Sequence, residues 1–334
     1  MDSLTQIVLG AAVGEAVLGK KVGNKAILWG AIAGTIPDLD IFTKLFFDSV
    51  TSNEMHRGFS HSIVFSIIFA PIFGWLIYKL YKGKEGSIKG WSKLMFWGLF
   101  THPLLDAHTT WGTQLFWPLA NKISYKNIFV VDPLYTVPFL IFLIAAMCHK
   151  RGTVKRAKLN NLGIYISSGY MVLTLVFKWV TFSVFEDSLK AQGISYIEIE
   201  TKPTPMNTIL WTANVETEDG YLIGYYSMLD ESKKIDFLHF KKNHELLGQY
   251  QNDPMIKRLE TLAKGWYTIE KRNGKLYFND LRFGLLGVNA DEKRFVFSYE
   301  LNVVDGVLTA QETEKNTKDV GPMLKQLFER VKGI

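Results

Sequence analysis

Five short motifs hold the side chains best placed, by type and spacing, to grip a cation or move a proton. Asp2 opens the sequence, PDLD supplies Asp38 and Asp40, and HRGFSH supplies His56, Arg57 and His61. HPLLDAHTTWG adds His102, Asp106 and His108, and VDP adds Asp132. His102 and Asp106 stand four residues apart, so on a helix they share a face and can hold one ion between them. Pro103 suits an early helix position or a local kink. In HRGFSH, Ser60 can cap the helix that follows while His61 points from its first turn, and Gly58 allows the turn that brings His56 back. Asp38 and Asp40 flank a single residue just after Pro37, where a helix ends or breaks. Imidazole nitrogen with carboxylate oxygen suits zinc, manganese or iron rather than calcium. The spacing alone leaves a proton or ion pathway open beside a metal site, because no HExxH or paired-cysteine pattern is present.

The elements that must position these residues are apolar helices. Residues 62–81 and 162–182 are long enough to cross a bilayer, which needs about 20 mostly apolar residues. Residues 134–148, 94–105, 4–18 and 26–36 are shorter and read as tilted spans or half-helices packed in a bundle. Gly10, Ala11, Ala12 and Gly14, then Gly30, Ala31, Ala33 and Gly34, suit close helix contact in lipid. Basic stretches at 20–25, 79–93 and 149–158 set the orientation. With these in the cytoplasm, a six-segment path puts the N-terminus, 37–61, 106–133 and everything after 183 outside, with all five polar motifs on that face. Trp111, Phe116, Trp117 and Tyr135 then serve as interfacial anchors.

Charge follows the same division. The chain carries 18 basic and 9 acidic residues before Phe185, and 20 basic against 23 acidic from there on. The overall charge of +6 is thus concentrated in loops beside apolar helices. Membrane topology accounts for it, and no nucleic-acid partner is expected. The lone cysteine, Cys148, excludes a disulfide framework and a cysteine-based zinc site. The first residues lack the basic start of a signal peptide and carry Glu15, so they read as a retained helix. Glu15 is expected to pair with a lysine or join the site. His149, His239 and His244 read as solvated or packing residues.

The second half alternates in the manner of strands: SYIEIE, NTILWTANVE, YLIGYYSM and KIDFLHF. Asp253-Pro254 opens a helix. Asn273-Gly274 between alternating runs predicts a type I′ hairpin. RFVFSYELNV is a further strand, and residues 320–331 a closing amphipathic helix. The fold class is an α-helical membrane bundle followed by a soluble α+β domain, with domains at 1–183 and 184–334 and the second outside the cytoplasm.

The set MDSLTQIVLGAAVGE, IPDLD, HRGFSHS and THPLLDAHTTWG, in this order and spacing over roughly residues 1–180, resembles the YdjM-like family. That family is described as inner-membrane-associated, metal-dependent hydrolases and as LexA-binding related; the LexA link concerns particular members and is not carried to this chain. The resemblance points to Asp38, Asp40, His56, His61, His102 and Asp106 as a polar core. Many members read Thr-His where this chain has Thr5-Gln6, and glutamine is a poor transition-metal ligand, so the site either binds fewer metals or is completed by Asp2 or His108. KPTPMNTILW and NDLRFG are similar to segments of long members; Asp280 and Arg282 there form a structural pair or bring Arg282 to an anionic head group.

The expectation is a multi-pass protein of the inner or plasma membrane, hydrolysing a lipid-linked or envelope small-molecule substrate, a phosphoester on the strength of Arg57 and Lys44. Membrane lipid is the expected partner. Asp38, Asp40, His61, His102 and Asp106 would hold one or two divalent cations that acidify water. Arg57 would neutralise substrate charge, and His56 or His108 would carry a proton. The rivals are an ion-binding transporter and a membrane-anchored sensor or regulator, neither of them hydrolytic.

Overall fold

The computed structural model describes residues 1–119, 121–287, 295–313 and 320–334. It separates into two compact units. One comprises Met1–Phe42, Met55–Phe177 and Pro205–Asn207, the other Thr43–Glu54, Lys178–Thr204 and Thr208–Ile334.

The first unit is helical. Asp2 caps α1 (Ser3–Gly14) by accepting from the Thr5 amide. A π-helical stretch, Glu15–Gly19, leads into the single turn α2 (Lys20–Val22). After α3 (Asn24–Thr35) the chain tightens into a 3₁₀ helix, Ile36–Leu45, which is followed by α4 (Ser49–Met55). The remaining long helices are α5 (Ile63–Leu80), α6 (Ile88–Asp106), α7 (Pro133–Met147) and α8 (Val154–Ala191).

Of the six apolar segments expected, three lie in described helices long and apolar enough to cross a membrane: Asn24–Leu45, Ile63–Leu80 and Val154–Ala191. Pro133–Met147 is apolar but shorter. The segment expected at 94–105 is part of α6, a 19-residue helix capped by Ser87 and carrying Lys89, Lys93, His102 and Asp106. At 1.5 Å per residue, α8 is about 57 Å long, well beyond the ~30 Å of a bilayer core. The division between units falls within it, between Phe177 and Lys178. The cap of α5 is Ser62, whose hydroxyl accepts from the Phe65 amide; Ser60, expected there, sits in a 3₁₀ turn instead.

Small residues bring α1 and α3 into backbone contact. A Cβ added at Gly10 would lie 2.3 Å from the Gly30 carbonyl, and one at Gly34 would lie 2.4 Å from the Gln6 carbonyl. Gly10 and Gly14 thus face Gly30 and Gly34 as two opposed small-xxx-small stripes, the close approach that apolar solvent favours. The helix ends then sort by chemistry. At one end the basic stretches meet: Lys25 pairs with Glu85 at 2.6 Å, and Arg151 reaches the Lys21 carbonyl. Nearby, Glu15 takes a two-pronged bond from Arg156, both contacts 2.6 Å and both side chains buried, so its partner is an arginine rather than a lysine. The other end gathers the start of α1, the end of α3, the start of α5 and the end of α6.

The second unit holds two four-stranded antiparallel meanders. The first runs β1 (Glu198–Pro203), β2 (Leu210–Glu216), β3 (Gly220–Ser227) and β4 (Phe237–Lys241); the second runs β5 (Tyr267–Arg272), β6 (Lys275–Leu285), β7 (Phe295–Val304) and β8 (Val307–Glu312). Asn273 and Gly274 both have positive φ between β5 and β6, as a type I′ turn requires. Asp253 caps α9 (Pro254–Leu262), which packs with Phe278, Tyr299 and Val50 in one core. Helix α10 (Val320–Val331) closes the chain. Asn214 ties the sheets together by donating to the Leu281 carbonyl at 2.7 Å. Arg282 is buried on Asp280 at 2.6 Å, an internal pair rather than an open head-group contact.

Candidate metal centre

His102 and Asp106 occupy the last turn of α6, one helical turn apart and fully buried. His61 comes from the 3₁₀ turn before α5, Asp38 from the 3₁₀ helix after α3. Their ligand atoms converge: one from each of Asp38, His61, His102 and Asp106 all lie within 4.8 Å of one another. The two histidine Nε2 atoms are 3.1 Å apart. Asp38 Oδ1 stands 3.4 Å from each of them and Asp106 Oδ2 3.5 Å from each. Ligands about 2.0–2.1 Å from a tetrahedral ion are separated by roughly 3.3 Å, close to the 3.1–3.5 Å between the two imidazoles and from each carboxylate to them.

The partners behind each imidazole set its tautomer. His102 Nδ1 is 2.6 Å from the Gly34 carbonyl, which can only accept, so Nδ1 carries the proton. His61 Nδ1 lies 3.0 Å from Ser60 Oγ and 3.3 Å from Asp40 Oδ2, again on the donor side. In its neutral form each ring therefore aims an Nε2 lone pair at the other, which is stable only with a proton or a cation between them. Asp106 Oδ2, which faces the same point, is buried and makes no hydrogen bond, its charge met by the Arg57 guanidinium, Nε at 3.0 Å. Facing lone pairs and a buried carboxylate oxygen free of hydrogen bonds are what a divalent cation would satisfy, and the set could hold one.

Around this group the other motif residues fall into distinct places. Asp40 lies behind His61, on the Nδ1 side, and also bonds His56 Nδ1 at 2.9 Å. Arg57 is buried at a positive φ of 59°, with Nε 3.0 Å from Asp106 Oδ2 and Nη1 donating to Thr109 Oγ1 at 2.7 Å. His56 is partly exposed, edge-on to Trp111, and its carbonyl accepts from Lys122 Nζ. Burial pushes its pKa down, with the Asp40 carboxylate opposing. His108 belongs to a separate network: it pairs with Asn127 Oδ1 at 2.9 Å, and Asn127 in turn donates to Thr174. Burial lowers the His108 pKa. Asp132 caps α7 through the Leu134 and Tyr135 amides and accepts from Tyr170, while burial raises its pKa. Lys44 and Arg282 belong to the other unit.

Three participants were not read from the sequence as contacts: the Gly34 carbonyl, Thr109 and the Met1 amino group, which rests on Asp106. Gln6 donates to Asp106 Oδ1 at 3.0 Å and to the His102 carbonyl at 3.3 Å, so its side chain does face the centre.

The sequence model of a family described as "YdjM inner membrane protein" matches residues 1–185. Among curated proteins, "Uncharacterized protein YfhP" of Bacillus subtilis (strain 168) is 25% identical over 285 residues, covering 78% of this chain and 82% of that one. "Inner membrane protein YbcI" of Escherichia coli (strain K12) is 30% identical over 131 residues, covering 36% of this chain and 74% of that one. No solved structure matches.

Proposed function

We propose, from the premise that this chain belongs to the YdjM inner membrane protein family, that it binds a divalent cation and hydrolyses a lipid-linked or envelope substrate, with a phosphoester as the leading class. The observation that carries this reading is the convergence of Asp38, His61, His102 and Asp106, with both imidazoles held from behind so that Nε2 is presented. Two imidazoles with two carboxylates favour zinc, manganese or iron. Such a cation, when bound, supplies Lewis acidity and acidifies water.

The chain's own residues do the rest. Arg57 offsets the Asp106 carboxylate and places a positive charge beside the centre, where a substrate anion would be drawn. His56 stands at the partly exposed edge and is suited to hold or release a proton there. His108, bonded to Asn127, enters as a support of the loop after α6. Asp38 is the one ligand with an exposed side, and on its own helix it is flanked by exposed Leu39, Ile41 and Phe42. That rim supports access from the acyl region, hence a lipid partner.

In the matching topology the three basic stretches face the cytoplasm, and the centre and the domain after α8 lie outside, with the helical unit crossing the membrane several times. The test is turnover of a panel of lipid phosphoesters by the detergent-purified full chain, with and without added metal. Turnover that survives His102→Ala and Asp106→Ala unchanged would defeat the catalytic reading.

One observation favours a second reading. All four ligands come from protein and three are fully buried, as in structural sites, whereas catalytic sites keep an open position. A cation-sensing membrane regulator would bind metal, gain stability and turn over nothing on the same panel.

A further inference from the structure

We infer that Asp40 is a positioning residue that acts through His61, fixing the tautomer and ring plane that aim Nε2 into the cation site. This rests on the metal-binding reading above. The two nitrogens of an imidazole look out of opposite sides of the ring, so a carboxylate on Nδ1 cannot share an ion with Nε2. Asp40 Oδ2 lies 3.3 Å from His61 Nδ1, whereas the convergent ligand atoms all face Nε2.

Three further contacts come from the same short loop. The Arg57 amide donates to Asp40 Oδ2 at 2.8 Å, Ser60 Oγ donates to it at 3.3 Å, and His56 Nδ1 meets Oδ1 at 2.9 Å. Ser60 Oγ is also 3.0 Å from His61 Nδ1, so the hydroxyl can accept from the ring while donating to the carboxylate. One carboxylate, itself almost fully buried, thereby organises HRGFSH from residue 56 to residue 61. The other histidine is served differently: His102 Nδ1 has a backbone carbonyl, Gly34 O, in the equivalent place. A carboxylate behind the ring makes the metal-facing nitrogen more basic as well as fixing its orientation. The two imidazoles are therefore unequal, and His61 is the one whose donor strength depends on a side chain that mutation can remove.

The experiment measures zinc affinity of the detergent-purified full chain by competition with a chromophoric chelator, and the visible spectrum with cobalt(II). Asp40→Ala is expected to weaken zinc binding about 10–100-fold with unchanged stoichiometry and an altered cobalt band. Asp40→Asn, whose amide oxygen can still accept from Nδ1, should recover part of that loss. Wild-type affinity in Asp40→Ala, within about twofold, overturns the inference and leaves the metal site standing. Loss of all binding in both variants overturns it too, by making Asp40 a ligand. If Asp40→Ala does not purify folded, Asp40→Asn decides alone: reduced affinity at unchanged stoichiometry supports the role, and wild-type affinity removes it. A wild-type chain that binds no zinc, cobalt, manganese or iron overturns the metal-binding reading itself, and this role with it.

Discussion

His102→Ala tests whether the buried histidine of α6 is a ligand or a packing residue. Its Nε2 is one of four convergent donors, and its Nδ1 holds the Gly34 carbonyl at 2.6 Å. Structural zinc sites bind with about 10–16 kcal/mol, so one ligand in four is worth roughly 3 kcal/mol. That corresponds to a Kd about two orders of magnitude weaker. Independently, the variant deprives a buried carbonyl of its donor, which costs about 1–3 kcal/mol of stability whether or not a metal binds. The two effects separate in measurement. Metal per chain after dialysis against buffered zinc, with a competition Kd, reads the first; the thermal midpoint of the metal-free protein reads the second. The ligand role predicts both losses. A variant that is less stable yet keeps wild-type metal content and Kd would make His102 a core histidine and remove the basis of the site.

Three further outcomes follow from other contacts. Arg57→Gln leaves the buried Asp106 carboxylate without its guanidinium, a loss of up to about 3–5 kcal/mol in the metal-free state; because a cation would compensate, zinc should raise the melting midpoint of this variant more than that of the wild type, and equal increments would count against a shared site. Gly34→Ala puts a methyl 2.4 Å from the Gln6 carbonyl, so α1 must shift, at about 1–3 kcal/mol; zinc affinity should fall with stability, while Gly169→Ala, with open space around it inside α8, should leave affinity unchanged and cost no stability. Burial lowers the His108 pKa below its unfolded value of about 6.5, so folding favours the neutral ring. Its contribution is complete above that value and is lost as pH falls through the folded one; midpoints measured between about pH 7.5 and 5 should therefore drop less in His108→Gln, and an unchanged slope would show that another group titrates.

Part of this centre was legible because its signals are local. The i, i+4 spacing of His102 and Asp106 becomes one face as soon as residues 88–106 are helical, and HRGFSH carries its own turn in Gly58. The hairpin at Asn273-Gly274 and the cap at Asp253 were readable for the same reason. What stayed hidden depends on helix type and on partners without a sequence signature. Asp38 and Asp40 looked like one pair, but the segment is a 3₁₀ helix, in which residues two apart diverge by about 120°. One therefore faces the Nε2 side of His61 and the other the Nδ1 side. Asp132 was grouped with the polar motifs although Asp132-Pro133 repeats the Asp-Pro helix start recognised at Asp253; the structure uses it as a cap. His108 lies past the end of α6 and bonds Asn127, a partner the sequence does not mark.

The least visible component is the backbone carbonyl of Gly34, and it links the fold to the chemistry. Gly10, Gly14, Gly30 and Gly34 read from sequence as a packing surface and nothing more. In the structure that surface sets how closely α1 approaches α3, and both helices end at the centre: Gln6 on one bonds Asp106, and Gly34 on the other holds His102. A small residue at 34 is then required twice, once for the helix contact and once because the carbonyl it carries must reach an imidazole on a third helix. This is why a change that adds only a methyl group, at a residue that offers the cation no ligand atom, is expected to move stability and metal affinity together.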